Sequence, residues 1–163
     1  MHVVYENGTE IFVNGGSWGD WSVRDQSGKT VLLPAFGWLA VNRRTGFYEF
    51  SAMVDGSRVD SVRSSEFEFL DGRGKRTRDG NLEARGSVAL RHKDFGIELI
   101  DIYGNDRIGF RANASGKLTA FDPEGKALGP VPATVADGWV EFEPVAGARS
   151  YRFTAVPNDP LSK

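Results

Sequence analysis

The chain has 163 residues, 40% of them hydrophobic and 12% aromatic, which provides enough apolar material for one substantial core or two small ones and argues against disorder. Its formal net charge of −2 gives no field of one sign that would attract nucleic acid or an anionic membrane, so neither is expected as a partner. The absence of cysteine excludes disulfides and thiolate metal sites, and no apolar run reaches the roughly 18–20 residues of a membrane-spanning helix.

The first forty residues predict a chain of β-hairpins. Asn7-Gly8 predicts a type I′ turn before a strand at 11–13, because both central residues of that turn need positive φ. Ser27-Gly28 predicts a second turn, and Pro34 ends the next pairing because proline has no N–H to donate. Turn signals recur about every 8–12 residues and no glycine-free helical stripe interrupts them, which favours an antiparallel β-sandwich or a barrel.

The middle of the chain predicts longer strands. Residues 47–54 form a strand that buries either Tyr48 and its alternate neighbours or Phe47 and its alternate neighbours, and Asp55-Gly56 predicts the hairpin turn after it. Residues 95–103 are the most apolar remaining run. Apolar residues occur on both faces of that run, which predicts a strand covered on both sides.

Residues 66–70 alternate acidic and aromatic side chains, which is the period-2 pattern of a strand with one wet and one dry face. The pattern predicts that Phe67 and Phe69 point inward and that Glu66 and Glu68 face solvent. The segment that follows, 71–80, contains four basic residues and no large apolar one, and it is predicted to be an exposed loop.

Gly104-Asn105 marks the predicted internal boundary, because the β-runs after it are shorter and the turns more regular. We predict an all-β antiparallel sandwich over residues 1–104 and a smaller β-subdomain over 105–157 that packs on it or completes it. Residues 158–163 are predicted to be a polar tail. About fifty residues is marginal for an independent core without disulfides, which favours an interior shared by both parts.

Catalytic and metal-binding constellations find little support. His2 and His92 are the only histidines, and His92 lies between two basic residues, so neither a catalytic triad nor a histidine metal site is indicated. Calcium ligation by Asp71, Asp79 and Asn81 is disfavoured by the basic residues between them. The acids that could form a glycosidase pair are Glu66, Glu68, Asp71, Glu98 and Asp101. Because Glu66 and Glu68 are predicted to lie on a solvated face, we predict a non-catalytic chain without metal or cofactor.

The aromatic residues are more informative. Trp18 and Trp21 lie in a glycine-rich polar turn, where an indole can be exposed and stack on a sugar ring while Asp20, Asn14 and Arg24 bind its hydroxyls. The alternative is that one or both indoles fold back over the end of the sandwich. Trp38 and Trp139 occur in apolar strand contexts and are predicted to be core residues.

Several segments resemble the β-rich C-terminal region of some large bacterial glycoside hydrolases, in which a Y-x-N-G-x-x-x-x-V-N hairpin precedes an L-P-x-x-G-[FW]-x-A strand. The resemblance covers about the first 75 residues and is carried by 5–14, 21–23, 33–40, 56–60 and 68–74. It implies an accessory β-sandwich that packs against a catalytic domain holding the active-site carboxylates. No catalytic residue is transferred to this chain.

The resulting functional hypothesis is a non-catalytic accessory domain that braces the catalytic domain of the same parent chain. Its rivals are a carbohydrate-binding module that uses the exposed tryptophans and a free-standing structural or adhesion domain that assembles with itself. The N-terminus begins directly with a β-run and shows no export signal. Localisation therefore stays open, with an extracellular or periplasmic site favoured if the parent is a secreted hydrolase.

Overall fold

The computed structural model describes residues 1–25 and 27–156, and within them the chain is all-β, as predicted. The predicted tail at 158–163 lies outside the described residues. The strands are β1 (His2–Val4), β2 (Thr9–Val13), β3 (Trp21–Arg24), β4 (Thr30–Leu33), β5 (Trp38–Asn42), β6 (Phe47–Val54), β7 (Ser57–Arg63), β8 (Phe67–Asp71), β9 (Thr77–Asp79), β10 (Leu82–Ala84), β11 (Ser87–Lys93), β12 (Gly96–Tyr103), β13 (Ile108–Arg111), β14 (Gly116–Phe121), β15 (Ala127–Pro130), β16 (Thr134–Ala136), β17 (Trp139–Phe142) and β18 (Ser150–Ala155).

The strands form two antiparallel sheets. The larger has thirteen strands and runs in the order β1-β2-β5-β6-β7-β8-β11-β12-β18-β14-β15, with the β3–β4 hairpin attached where β4 pairs β6. The smaller has five strands in the order β16-β17-β13-β10-β9. Strands from both sides of the predicted boundary at residue 104 occur in each sheet.

The core lies on one face of the large sheet, which we call the inner face. Leu70 and Leu99 from the large sheet and Phe110 from the small one are fully buried in the same cluster. The β3–β4 hairpin contributes Val23 and Val31 to that cluster, so it covers another part of the inner face. In the small sheet, β9 is one of the two edge strands.

Two of the predicted turns illustrate how far dipeptide rules extend. Asp55 and Gly56 both have positive φ, 48° and 77°, and connect β6 to β7 in the predicted two-residue turn. At Asn7-Gly8 only Gly8 has positive φ, so the predicted type I′ turn is wrong. The loop there closes instead through hydrogen bonds from Gly8 N to Tyr5 O and from Thr9 N to the Asn7 side chain.

The orientation predicted for β8 is also wrong. Glu68 is 4% exposed and lies on the inner face, where its carboxylate accepts hydrogen bonds from the backbone and side-chain nitrogens of Asn81. Phe67 and Phe69 are partly exposed on the opposite, outer face. Leu70 decides the register, because its complete burial in the core forces Glu68, two residues away, onto the same face.

The segment predicted as an exposed basic loop is only partly a loop. Residues 77–79 form β9 and pair with β10. Arg76 and Arg78 bind the Glu83 carboxylate, and Arg73 binds Asp60. Carboxylates from neighbouring strands therefore neutralise the charge that made this segment resemble a solvated loop.

Candidate functional sites

The loop that contains the predicted site residues is held by Asn14. Its amide nitrogen donates to Gly19 O and Leu33 O, both at 3.0 Å, and its amide oxygen accepts from Gly16 N at 3.2 Å. One side chain therefore closes the loop on itself and ties it to the end of β4. Asn14 is a structural clamp in this arrangement, with both ends of its amide engaged.

The two tryptophans of this loop have different environments. Trp18 is 91% exposed, whereas Trp21 is partly buried and meets Phe12 edge-on, with ring centroids 6.0 Å apart. Asp20 and Arg24 are exposed. The structure therefore presents one indole to solvent on a clamped loop and packs the other against the core.

Phe36 is an exposed aromatic residue that the sequence analysis missed, beside the same loop. It is 62% exposed and has φ of 57°, a left-handed conformation that is strained for a bulky residue. Arg58 holds the turn by donating to Ala35 O and Phe36 O, and Asn14 N donates to Gly37 O, which joins the turn to the Trp18 loop. Only the Pro-Ala-Phe-Gly sequence of residues 34–37 signalled a turn at this point.

A cleft opens on the inner face between the β3–β4 hairpin and the edge strand β9. It consists of two pockets of about 370 and 260 Å³ that share Lys29 and Tyr48, and we call it the Tyr48 cleft. The Lys29 ammonium and the Arg63 guanidinium each lie 4.8 Å from the centroid of the Tyr48 ring. Asp25 lines the first pocket and Asp79 the second.

The hydroxyl of Tyr48 is buried and has no hydrogen-bond partner among residues 1–25 and 27–156. Burial, together with the carboxylates of Asp25 and Asp79, raises the pKa of Tyr48 to about 12, although Arg63 opposes this effect. The hydroxyl therefore keeps its proton at neutral pH and remains a hydrogen-bond donor.

The acids considered for glycosidic cleavage have separate partners. Glu68 binds Asn81, Glu98 lies 3.8 Å from Arg152, and Asp101 accepts from Asn105. The calcium ligands considered are also apart, because Asp79 binds Ser61 and Asp71 binds the backbone of Arg73. Within the described chain, no group of three or more metal-binding side chains comes together.

A charged network covers the outer side of the small sheet. Burial by itself raises the pKa of Glu83, but hydrogen bonds and charges from Arg76 and Arg78 bring that pKa below its ordinary value. Trp139 is buried beneath this layer, with Arg78 3.9 Å from its ring centroid. Trp139 is 7% exposed, so its predicted burial is confirmed, although it lies outside the main hydrophobic cluster.

The outer face of the large sheet carries a row of apolar side chains. Successive cross-strand pairs place them in one line, which we call the outer row: Ile11, Ala40, Glu49, Val62, Phe69, Ala89 and Ile100. Only Glu49 is charged. The large members are partly exposed and do not belong to the core cluster or pack against it.

Two further predictions fail at the outer face. Trp38, predicted to be a core residue, is partly exposed there and lies outside the core cluster. The strand predicted to be covered on both sides, β12, buries Leu99 on the inner face but leaves Ile100 partly exposed and Ile102 39% exposed. Within the part of the chain that the structure describes, no second layer covers this face.

The chain matches no family model, no curated protein and no solved structure. Among the described residues, the structure contains no helix that is long and apolar enough to cross a membrane.

Proposed function

We propose that this chain is a non-catalytic accessory domain that docks through the outer row onto the catalytic domain of a carbohydrate-active enzyme and braces it. The outer row is the observation that supports the proposal. Burial of apolar area is the main favourable contribution to protein association, and a contiguous exposed apolar surface is typical of an interaction site. The resemblance of residues 1–75 to accessory regions of glycoside hydrolases supports the choice of partner.

The surroundings of the outer row fit a protein partner. On one side of the row, Asp60 lies opposite Asp71 on the neighbouring strand. On the other side, Glu98 lies between Arg91 and Arg152 on the two adjacent strands. An apolar centre with a charged border is the usual arrangement of a protein–protein interface. The outer row extends over seven adjacent strands. Small ligands require a concave pocket, so a folded domain is the occupant we propose for this extended row.

The test uses the domain encoded next to this chain in its parent gene, produced separately and titrated into the isotope-labelled accessory domain. We expect methyl resonances of Val62 and Ile100 to shift on binding, because both lie in the outer row. The double variant Phe69→Asp, Ile100→Asp should weaken binding at least 100-fold, since it places two charges in an apolar interface. Val135→Asp, at a 57% exposed position on the small sheet, is the matched control.

The proposal is wrong if the parent gene encodes no neighbouring hydrolase domain. It is also wrong if that domain leaves the Val62 and Ile100 methyl resonances unchanged, or if both variants bind like the unmodified chain. Dimerisation through the outer row would support the free-standing structural domain instead.

Carbohydrate binding at the clamped loops is the second candidate, favoured by the 91% exposure of Trp18 and the strained, exposed Phe36 beside it. Apolar faces of sugar rings can stack on such aromatic side chains. A saturable change in tryptophan fluorescence on titration with oligosaccharides, lost in Trp18→Ala and Phe36→Ala, would support it. Tyr103→Ala, which removes a 78% exposed aromatic residue of β12, should leave the change intact. Fluorescence that stays constant with plant, host and microbial glycans would rule it out.

A further inference from the structure

The Tyr48 cleft contains hydrogen-bond donors that the described chain leaves unused. The Tyr48 hydroxyl and the Arg63 Nε are both buried without a hydrogen-bond partner. The Arg63 Nε lies 3.5 Å from an Asp79 oxygen that already accepts from Ser61 Oγ at 2.7 Å. A buried polar group without a hydrogen-bond partner costs free energy, and a ligand that supplies the partner gains binding free energy from removing that cost.

Positive charge is also available there. Lys29 forms no ion pair within the described residues, and its ammonium lies only against the Tyr48 ring. Arg43 lines the same pocket, is exposed and likewise has no ion pair among those residues. Three carboxylates line the cleft. One oxygen of Asp25 accepts hydrogen bonds from Ser27 and Lys29, and Asp79 accepts from Ser61, whereas Asp55 lies at the second pocket.

The second oxygen of Asp25 and that of Asp79 have no partner in the described chain and could accept from a hydroxyl group. The cleft thus combines unused donors and cations beside Tyr48 with two spare acceptors, Asp25 Oδ2 and Asp79 Oδ1. A ligand that satisfies both needs carries a carboxylate and hydroxyl groups on the same small skeleton. The two pockets of about 370 and 260 Å³ together lie in the usual size range of a small-molecule site.

We propose that the Tyr48 cleft binds a small hydroxycarboxylic acid, whose carboxylate accepts from Tyr48 and Arg63 and pairs with Lys29. This site lies on the inner face and is independent of docking through the outer row. Its ligand is recognised by charge and hydrogen bonding, because both cations occupy positions against the aromatic ring that a stacked sugar would otherwise take.

Isothermal titration of the full chain with galacturonate, galactose and inorganic phosphate tests the proposal. Galacturonate and galactose share a ring with hydroxyl groups, but only galacturonate carries the carboxylate. We expect saturable binding of galacturonate and binding of galactose that is at least tenfold weaker. Phosphate is expected to bind more weakly than galacturonate, because it lacks the hydroxyl-bearing skeleton that would use Asp25 and Asp79.

Three variants assign the binding to the cleft. Tyr48→Phe removes only the hydroxyl, Lys29→Gln removes an exposed charge without affecting the core, and each should weaken galacturonate binding at least fivefold. Lys117→Gln, at an exposed position on β14, is the matched control and should bind like the unmodified chain. The proposal is overturned if galacturonate does not bind, if galactose or phosphate binds equally well, or if Tyr48→Phe and Lys29→Gln bind unchanged.

Discussion

Tyr48 shows at the scale of one residue how a buried polar atom can indicate a site. Its ring packs against the core cluster while its hydroxyl is buried without a partner among the described residues. Hydrophobic packing explains the ring but not the hydroxyl, because phenylalanine would fill the same space without desolvating an oxygen. The hydroxyl is therefore a structural cost in the unliganded chain.

We expect Tyr48→Phe to stabilise the unliganded chain by about 1 kcal/mol, the lower end of the desolvation penalty of an unsatisfied buried group. Urea denaturation of both proteins measures the difference in unfolding free energy. Tyr5→Phe is the control, because Tyr5 is 52% exposed and its hydroxyl is free to be hydrated. A Tyr48→Phe variant less stable than the unmodified chain would show that the hydroxyl is satisfied in solution.

Phe36 is a residue whose backbone conformation is costly. A non-glycine residue in the left-handed region loses about 1–2 kcal/mol, and the exposed ring of Phe36 recovers little by burial. We therefore expect Phe36→Gly to raise the unfolding free energy by about 0.5–1 kcal/mol, because glycine adopts this conformation without strain. Thermal denaturation measures the change.

Phe50→Gly serves as the opposite control, because it removes a buried ring from β6 and should destabilise the chain strongly. Destabilisation by Phe36→Gly would mean that the ring makes contacts that outweigh the strain. A gain in stability would indicate that Phe36 is retained for something other than folding, as the carbohydrate-binding hypothesis requires.

At the scale of elements, ion pairs join β9, β10 and β17 on the outer side of the small sheet. Arg76 binds Glu83 of β10 and Glu141 of β17, and Arg78 contacts the same two carboxylates. β9 is short and lies at the sheet edge, so its pairing with β10 gains support from these side chains. Glu83 is the centre of this network, with both arginines on its carboxylate.

The lowered pKa of Glu83 predicts how this network responds to acid. A carboxyl whose pKa is lower in the folded chain contributes stability above its unfolded pKa and loses it as the pH falls through the folded pKa. We expect Glu83→Gln to destabilise the chain most at neutral pH. The difference should shrink as the pH falls below about 4.3, the value of an ordinary glutamate.

Urea denaturation between pH 7 and pH 2.5 measures this difference. Glu143→Gln is the control, since its side chain is 78% exposed and its only ion pair within residues 1–25 and 27–156 is the one with Arg107 at 3.7 Å. A difference for Glu83→Gln that does not vary with pH would show that the carboxylate charge contributes nothing to the junction of these strands.

At the scale of the whole molecule, the large sheet has one face in the core and one uncovered apolar face. Adjacent residues of β8 allow the two faces to be compared. Leu70 is fully buried in the core, and Phe69 points into the outer row. Only the first of these side chains is needed for folding if the outer row is an interface.

We expect Leu70→Ala to cost about 2–5 kcal/mol of unfolding free energy, as usual for a buried leucine. Phe69→Ser should cost at most about 1 kcal/mol, because it loses only cross-strand contacts with Val62 and Ala89. Denaturation of both variants gives the two values. Equal losses would mean that Phe69 belongs to the core and would contradict the docking proposal.

Several local features of this chain were predictable from the sequence. The Asp55-Gly56 turn was found because its backbone conformation depends on two adjacent residues alone. The glycines and polar residues around Trp18 allowed it to be exposed, as it is, but the sequence favoured an indole folded back over the end of the sandwich. Phe36 was missed because the turn that presents it is held by hydrogen bonds from Arg58, 22 residues further along the chain.

The sequence by itself determined that the chain forms antiparallel strands joined by tight turns, because both follow from local backbone preferences and a short repeat of side-chain character. It did not determine which face of each strand is buried. The alternation in β8 fits either orientation, and the choice was made by Leu70 in the core and by Asn81 at Glu68, which are tertiary contacts. Only the tertiary structure therefore aligned separate strands into the outer row and placed Tyr48, Lys29 and Arg63 around one cleft.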